Sequence, residues 1–318
     1  MEEFEMKQVA DFAERVLTNV SRVIVGKDEV IRKMLAAFLS SAHVLINDVP
    51  GVGKTMLARS FAISLGLNFG RVQCTPDLTP SDITGFNVLD PRTGQFSFKK
   101  GVLFTDVLLV DEINRATPRT QSALLQAMAE KQVSIDGLTY QLSEHFFVIA
   151  TQNPVEFEGT FPLPEAQLDR FAVCLSLGYL GKDQEIELLR RLERSHPIES
   201  LEPVCQPGEL ARMKELVKDV YVDESIVDYV VRIVMRTRSH PDVALGASPR
   251  GSIALVHLSR ALAAINGRNF VLPDDAKQIA LDVLAHRLIL KPEARLMRKT
   301  KQDIVEEILK SEEAPIRG

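Results

Sequence analysis

The sequence of 318 residues contains no tryptophan, three cysteines and no long apolar run. Cys74, Cys174 and Cys205 form no Cys-x-x-Cys pair, so we expect free thiols rather than disulfides. No stretch reaches the ~18 apolar residues that a membrane span needs. The acidic first residues also lack the basic and apolar regions of a signal peptide. These absences predict a soluble, cytoplasmic protein.

An excess of positive charge is also missing. The chain carries 38 Lys and Arg against 43 Asp and Glu, a formal net charge of −5. This balance disfavours non-specific binding to nucleic acid. The remaining composition, 45% hydrophobic and 25% charged, is typical of globular proteins. At ~150 residues per domain, the length predicts two domains.

Between residues 43 and 178, short apolar runs alternate with stretches of helical pattern. Nearly continuous apolar strands separated by helices are typical of a parallel sheet that is covered on both faces. Five strands are predicted at 43–47, 71–74, 107–111, 146–150 and 172–177. Helices are predicted at 5–21, 28–41, 54–65 and 117–130.

Two turn signals predict β-hairpins that project from this unit. Asp136-Gly137 lies between two strand-like runs and is a two-residue hairpin signal, and Arg92-Thr93-Gly94 indicates a second, looser hairpin. After residue 181 no strand pattern is found. Six helices are predicted there, at 182–194, 208–219, 224–238, 249–265, 274–286 and 301–311. We therefore predict an α/β unit at 1–180 and a smaller, all-helical domain at 181–318.

The first predicted strand runs into the sequence DVPGVGKT (48–55) and then into a helix. In this context Gly51 and Gly53 let backbone N–H groups point at one anion, and the start of the helix adds its positive end. Lys54 would reach the β- and γ-phosphates of a nucleotide, and Thr55 would offer its hydroxyl to Mg²⁺. A chance Gly-Lys-Thr turn is the alternative, which the flanking strand and helix disfavour. The predicted loop contacts with the nucleotide are Asp48, Val49, Pro50, Gly51, Val52, Gly53, Lys54, Thr55 and Met56.

A pair of acids ends the third predicted strand, 57 residues beyond Lys54. Open α/β sheets bind ligands at the carboxyl ends of their strands. Asp111 can there hold the magnesium shell, through water, and Glu112 can polarise the attacking water. An ordinary solvated loop is the alternative, which the neighbouring phosphate loop disfavours.

The order of these motifs resembles the MoxR family of AAA+ ATPases over nearly the whole chain. Asp48 stands where the general phosphate-loop pattern has glycine, but members of this family often carry an acid there. The usual family sequence differs at Lys99–Phe104, which affects only a detail of the nearby hairpin. The motifs that carry the resemblance are 23–31, 48–55, 75–85, 108–116, 151–171 and 246–252.

This resemblance implies a P-loop NTPase core of the AAA+ type with a five-stranded parallel sheet, two β-hairpin insertions and a C-terminal helical lid. It further implies a homo-hexameric ring that binds ATP and Mg²⁺ between neighbouring subunits. Val25 and Gly26 match the segment that lies against adenine. Asn153 matches the first sensor, which contacts the γ-phosphate or the attacking water; a turn-forming Asn before Pro154 is the alternative.

Two arginines complete the implied site. Ser248-Pro249-Arg250 reads as the start of a helix, where a cation is disfavoured unless an anion lies nearby. Arg250 matches the family's second sensor, with a surface arginine as the alternative. Arg170 matches the finger that reaches the γ-phosphate of the next subunit, although its place at a helix C-terminus also explains it. Arg115 and Arg119 are weaker candidates for that finger.

The function that the resemblance implies is ATP hydrolysis that drives chaperone-like remodelling or assembly of client proteins. Partners with a von Willebrand A domain are typical of this family. The hairpins, at 87–101 and 133–142, would be the moving parts. A magnesium-chelatase-type subunit shares the fold and is the first alternative. A nucleic-acid motor, disfavoured by the net charge, and a non-hydrolysing interaction platform are further alternatives.

Overall fold

A five-stranded parallel sheet, in the order β2-β5-β8-β1-β9, is the centre of the computed structural model, which describes residues 2–92, 94–154, 159–193, 196–206 and 208–315. All five predicted strands are confirmed. The strands β1 to β11 are Val44–Asn47, Phe69–Gln73, Gly85–Leu89, Phe96–Lys100, Val107–Asp111, Gln132–Ile135, Leu138–Gln141, Phe147–Gln152, Val173–Leu175, Val243–Leu245 and Ile289–Leu290.

The predicted helices are confirmed to within a few residues at their ends. The prediction for 182–194 ends at a residue outside the described part of the chain, whereas the described helix ends at Leu192. The helices α1 to α13 are Glu2–Ser21, Asp28–Leu39, Lys54–Ser64, Pro80–Thr84, Pro118–Glu130, Glu165–Leu168, Lys182–Leu192, Glu209–Lys218, Glu224–Ser239, Pro249–Ile265, Pro273–Leu284, Pro292–Leu296 and Lys301–Ser311.

Because the five strands are parallel, their ends define two edges of the sheet. At the carboxyl edge the chain leaves β1 for the phosphate loop, and β5 ends at Asp111. At the amino edge lie the residues that enter the strands, among them His43 before β1 and Ala172 before β9. β8 lies between β1 and β5, as the resemblance implied. All five residues of β5 are buried, because hydrophobic clusters cover both faces of the sheet there: Val107 and Leu109 belong to one cluster, and Leu108 and Val110 belong to the other.

Both β-hairpins are confirmed. β6 and β7 are joined by Asp136-Gly137, whose φ angles of 49° and 81° are those of the predicted two-residue turn. β3 and β4 form the other hairpin, with Leu89 opposite Phe96. Thr93 of its predicted turn lies outside the described residues.

Among the described residues of the C-terminal half, the helices are interrupted by one small antiparallel pair of strands, so the prediction of an all-helical domain was wrong in this detail. β10 and β11 pair Val243 with Leu290. They have three and two residues, which is too short for the alternating pattern by which a strand is read from sequence. The short helices α4, α6 and α12, with four or five residues each, were missed because they are too short to show the periodic pattern of a helix.

The helices α7 to α13 are here called the lid. Of these, α8 to α13 share one hydrophobic cluster with the sheet and with α1 and α2. Val9, Phe12, Val16 and Val20, predicted on one face of α1, are all fully buried. α1 and α2 pack against α10 of the lid, so the first two helices contact both halves of the chain. The boundary at residue 180 therefore stays a prediction. No helix in the described ranges has the length and apolar character needed to cross a membrane.

Candidate functional site at the edges of the sheet

The phosphate loop connects β1 to α3 at the carboxyl edge. Gly51 and Gly53 have φ angles of 84° and 90°, which side chains rarely adopt, and Gly53 is the N-cap of α3. A Cβ added to either glycine would meet no atom within 4 Å. The loop thus encloses an open space of the kind in which backbone N–H groups bind phosphate.

Lys54 lies over this loop. Its Nζ donates to the backbone oxygens of Asp48 and Val49, at 2.8 and 3.1 Å. Both acceptors are uncharged, so the positive charge of Lys54 remains to attract a phosphate. The structure therefore brings the predicted lysine and glycines together as the motif requires.

Asp48, the residue that departs from the general pattern, connects the loop to the chain that leads into the lid. Its Oδ2 accepts hydrogen bonds from the backbone N of Leu177 and Gly178, at 2.6 and 2.7 Å, and from Ser176 Oγ. Its Oδ1 accepts from the backbone N of Val49. The side chain is buried and is occupied by these partners, and the backbone N donates to Gln152 O at 3.1 Å. In this structure Asp48 therefore fixes the loop, and its contact with nucleotide stays a prediction.

The carboxylate of Asp111, at the end of β5, makes two polar contacts. Thr151 Oγ1 donates to Asp111 Oδ1 at 2.6 Å, and Arg71 Nη2 is 2.9 Å from Oδ2. The hydroxyl of Thr55 and this carboxylate are the hard oxygen donors that Mg²⁺ prefers. The residues present thus fit the ion. In this structure the guanidinium of Arg71 supplies the positive charge beside Asp111. Sequence reasoning missed Arg71 and Thr151, because the residue pattern along β2 and along β8 does not show which side chains of these strands meet Asp111.

Glu112 follows Asp111 with φ 55° and ψ 53°, a left-handed conformation that is uncommon outside glycine. Thr151 Oγ1 accepts its backbone N–H at 2.9 Å and helps to hold this conformation. Glu112 Oε2 accepts from Gln73 Nε2 at 2.8 Å and from Arg115 Nη1 at 3.0 Å. Arg115, a candidate finger, is therefore paired with the glutamate of its own subunit.

A mostly apolar cavity of about 450 Å³ lies next to the phosphate loop. Val25 lines it, together with the loop residues 50–53 and Met56. Gly26 has φ 65°, and a Cβ there would come within 2.1 Å of Gln184 Nε2, so the backbone passes close to α7. The shape and lining suit a flat heterocycle such as adenine. Sequence reasoning missed Tyr179 and three residues of α7 that line this cavity, Leu188, Leu189 and Leu192.

Asn153 directly follows β8, between the phosphate loop and Asp111 in the order of the sheet. It is buried, at 5% exposure. This is the position expected of the first sensor. Residues 155–158, which belong to the motif at 151–171, lie outside the described residues.

Arg170 and Arg250 lie at the other edge of the sheet. Arg170 precedes β9, and its Nη1 donates to the backbone oxygen of Leu125 at 2.7 Å. Arg250 Nη1 is 3.8 Å from Asp169 Oδ2, which is the nearby anion that the helix position required. Both arginines line a cleft of about 280 Å³ that also contains Arg287 and His43; we call it the arginine cleft. A four-residue strand separates the two edges by about 13 Å, so the structure brings these arginines together but not to their own phosphate loop.

A phosphate loop after β1, an acid pair at the end of β5 and a helical lid define an ATPase of the AAA+ class. Residues 43–173 match the model of the ATPase family associated with various cellular activities, and residues 235–308 match that of the AAA lid domain.

Three relatives refine this class. Chaperone MoxR1 of Mycobacterium tuberculosis is 39% identical over 95% of this chain and 82% of its own. Protein YeaC of Bacillus subtilis is 48% identical over 95% and 94%. The solved structure of a proposed ATPase from Cytophaga hutchinsonii superposes with a TM-score of 0.92, at 36% identity over 99% and 98% of the two chains. The chain belongs to the MoxR family of AAA+ ATPases and is an ATP hydrolase, which sets aside the non-hydrolysing platform.

Proposed function

We propose that the chain forms a homo-hexameric ring, binds ATP with Mg²⁺ between neighbouring subunits, and uses hydrolysis to remodel or assemble client proteins. The location of the arginines supports the shared site. Arg170 and Arg250 lie at the amino edge, whereas the phosphate loop lies at the carboxyl edge. A head-to-tail contact places unlike surfaces of two subunits together and closes into a ring when its rotation permits. Such a contact would bring the arginine cleft of one subunit to the phosphate loop of the next.

Within this shared site each residue has a separate task. Lys54 and the loop N–H groups hold the phosphates, and Val25 and Gly26 lie beside the base. Glu112 takes a proton from water as it attacks the γ-phosphate, and Asn153 orients that water. Mg²⁺, held by Thr55 and, through water, by Asp111, would supply positive charge to the phosphate oxygens. The neighbour's Arg170 stabilises the charge that develops in the transition state.

The hairpins carry the proposal of a chaperone-like role, because they expose apolar side chains that ATP hydrolysis does not need. Phe86, Phe96 and Leu138 are exposed at 44%, 72% and 59%. The rings of Phe98 and Tyr140 stack with centroids 4.2 Å apart and join the two hairpins into one unit. Exposed apolar surface of this kind is typical of sites that bind other proteins.

The relative named as a chaperone supports this role, and the family resemblance points to a partner with a von Willebrand A domain. A magnesium-chelatase-type subunit remains the alternative on the same fold. A nucleic-acid motor receives less support. Lys99 and Lys100, the basic pair of the first hairpin, lie over the rings of Phe86 and Phe104.

A capture experiment tests the proposal. Glu112→Gln protein, loaded with ATP, should retain a bound protein partner from the source cell, whereas Lys54→Ala protein should retain much less. Phe96→Ser, placed in the Glu112→Gln background, should abolish this capture. Leu296→Ser is a matched control, since Leu296 is a lid residue with 84% exposure. Equal capture by all four proteins would contradict the proposed role of the hairpins.

A further inference from the structure

Asp169, directly before Arg170, is bonded to the lid on two sides. Its Oδ1 accepts from Arg287 Nε at 2.8 Å. Its Oδ2 accepts from Ser248 Oγ at 2.8 Å, and Ser248 is the N-cap of α10, the helix that carries Arg250. One carboxylate thus contacts both lid elements that line the arginine cleft.

Arg287 extends this contact along the backbone around Arg170. Its Nη2 donates to the backbone oxygen of Phe171 at 2.7 Å, and its Nη1 donates to that of Ala172 at 3.1 Å. The guanidinium is 3% exposed. Burial lowers the pKa of Arg287, and the charge of Asp169 opposes this shift. The buried cation and Asp169 therefore depend on each other.

Arg170 is also held outside the lid, where its backbone N donates to Gln167 O at 3.1 Å and the N of the neighbouring Ala172 donates to His43 O at 3.0 Å. It belongs to the short segment between α6 and β9, and its side chain is tied to α5 through the Leu125 oxygen. An arginine that must reach a phosphate in another subunit needs a fixed backbone, because a displacement of 1 Å can cost ~10²-fold in rate.

We infer that Asp169 is a positioning residue, which sets Arg170 and Arg250 for the neighbouring subunit by fixing the segment 169–172 to the lid. This inference rests on the proposed shared site. Asp169 does not act on nucleotide in its own subunit, because it lies at the edge of the sheet opposite the phosphate loop. Its loss should thus impair only what the subunit offers to its neighbour.

Complementation between variants tests the inference. Asp169→Asn keeps the shape of the side chain but removes its charge. We expect unchanged ATP affinity, within twofold, and turnover reduced by about 10²-fold. Mixed in equal amounts with Glu112→Gln, under conditions of subunit exchange, it should recover towards a quarter of wild-type turnover, since one interface in roughly four pairs an intact pocket with an intact finger. Mixed with Arg170→Ala it should not recover, because both variants lack the same half.

One control variant and three contrary outcomes complete the test. Asp228→Asn makes the same change in an exposed ion pair of the lid with Arg232, and it should keep full turnover. Recovery with Arg170→Ala but not with Glu112→Gln would place Asp169 in its own pocket and overturn the inference. Full turnover of Asp169→Asn alone would also overturn it. If Arg170→Ala and Glu112→Gln fail to complement each other while exchange is confirmed, the shared site itself is wrong, and the inference falls with it.

A second variant decides the matter if Asp169→Asn fails to fold. Ser248→Gly removes the hydroxyl that bonds Asp169 but keeps a residue that caps helices nearly as well. It should lower turnover by about tenfold, the scale of one lost hydrogen bond to a charged group, with the same complementation pattern. Unchanged turnover in this variant would overturn the inference.

Discussion

At the carboxyl edge of the sheet, Asp111 and Glu112 end a buried strand beside the phosphate loop, whereas at the amino edge Arg170 and Arg250 line a cleft with the buried Arg287. The first edge provides acids and a loop for phosphate, and the second provides cations. A single chain cannot close one site from edges that a strand keeps apart. In the proposed ring, the two edges would be the two halves of one site completed between copies.

The edges also differ in how their ionisable groups are held. At the carboxyl edge, Asp111 and Glu112 contact the partly exposed Arg71 and Arg115. Near the amino edge His43 is buried and His286 is half-buried, and loss of hydration lowers their pKa values to about 4 and about 3. The acids of the carboxyl edge can therefore exchange these arginines for a ligand, whereas the two histidines near the amino edge stay enclosed.

The largest effect is expected from a substitution at the amino edge alone. Arg170→Ala should lower turnover by ~10³–10⁵-fold, the measured range for arginine fingers, with ATP affinity unchanged, because the phosphate loop is intact. Steady-state phosphate release and calorimetric titration with ATP would check both values. Arg119→Ala, an exposed residue of α5, is the control and should retain turnover. A parallel loss of ATP affinity would contradict the separation of the edges.

The next effect separates two tasks within the carboxyl edge. Lys54→Ala should abolish ATP binding, while Glu112→Gln should bind ATP normally and lose ~10²–10⁴-fold in turnover, the usual contribution of a positioned base. Titration with a fluorescent ATP analogue would measure ATP binding, and phosphate release would measure turnover. If Glu112→Gln hydrolyses ATP within about threefold of wild type, the assignment of Glu112 is wrong.

Arg250→Ala sharpens the comparison at the lid. Turnover should fall by about 10- to 10²-fold, as for the loss of a charged hydrogen bond of about 1.5–3 kcal/mol. The melting temperature without nucleotide should hardly change, since the unfavourable helix position is offset by Asp169 at 3.8 Å. Unchanged turnover would leave Arg250 as a surface residue.

Acid should lower the free energy of unfolding through the protonation of His43, a residue of the amino edge. The ring of His43 is within bonding distance of Met128 O and accepts from the backbone N of Val148, and burial lowers its pKa from 6.5 to about 4. Because the unfolded chain takes up the proton earlier, stability is complete above pH 6.5 and is lost as the pH falls towards 4. Between pH 7 and pH 5 this histidine should cost about 2 kcal/mol of unfolding free energy. Urea titrations of wild type and His43→Gln would show whether the variant loses less.

The smallest effect concerns Lys214, whose Nζ lies 4.2 Å from the ring centre of Phe38. Burial lowers its pKa from 10.5 to about 8, so at pH 7 the folded state holds a charge that it disfavours. This shift corresponds to a cost of about 3 kcal/mol at pH 7, but Lys214→Met also loses the contact of the ammonium with the ring, worth about 2 kcal/mol when desolvated. The variant should therefore raise the unfolding free energy by about 1 kcal/mol at pH 7. This gain should shrink as the pH rises from 8 to 10.5. A thermal melt at pH 7 with no gain, or a loss, would contradict the expected burial cost.

Prediction from sequence succeeded where local pattern and local chemistry coincide. The five strands, the phosphate loop from Asp48 to Thr55 and the turn at Asp136-Gly137 each carry their own signal. Residues whose partners are far along the chain gave none. Asp48 was predicted as a nucleotide contact, yet its carboxylate binds Leu177 and Gly178, and only the fold brings them together.

The sequence by itself determined the class of fold and the residues of the phosphate loop and acid pair, because glycine spacing, strand hydrophobicity and helix caps act within a few residues of each other. Only the tertiary structure decided that Arg170 and Arg250 share one cleft, that Asp169 joins them to the lid, and that Arg71 lies beside Asp111. These contacts join residues 40 to 118 positions apart. Their geometry depends on the order and direction of strands in the sheet, which no local pattern encodes.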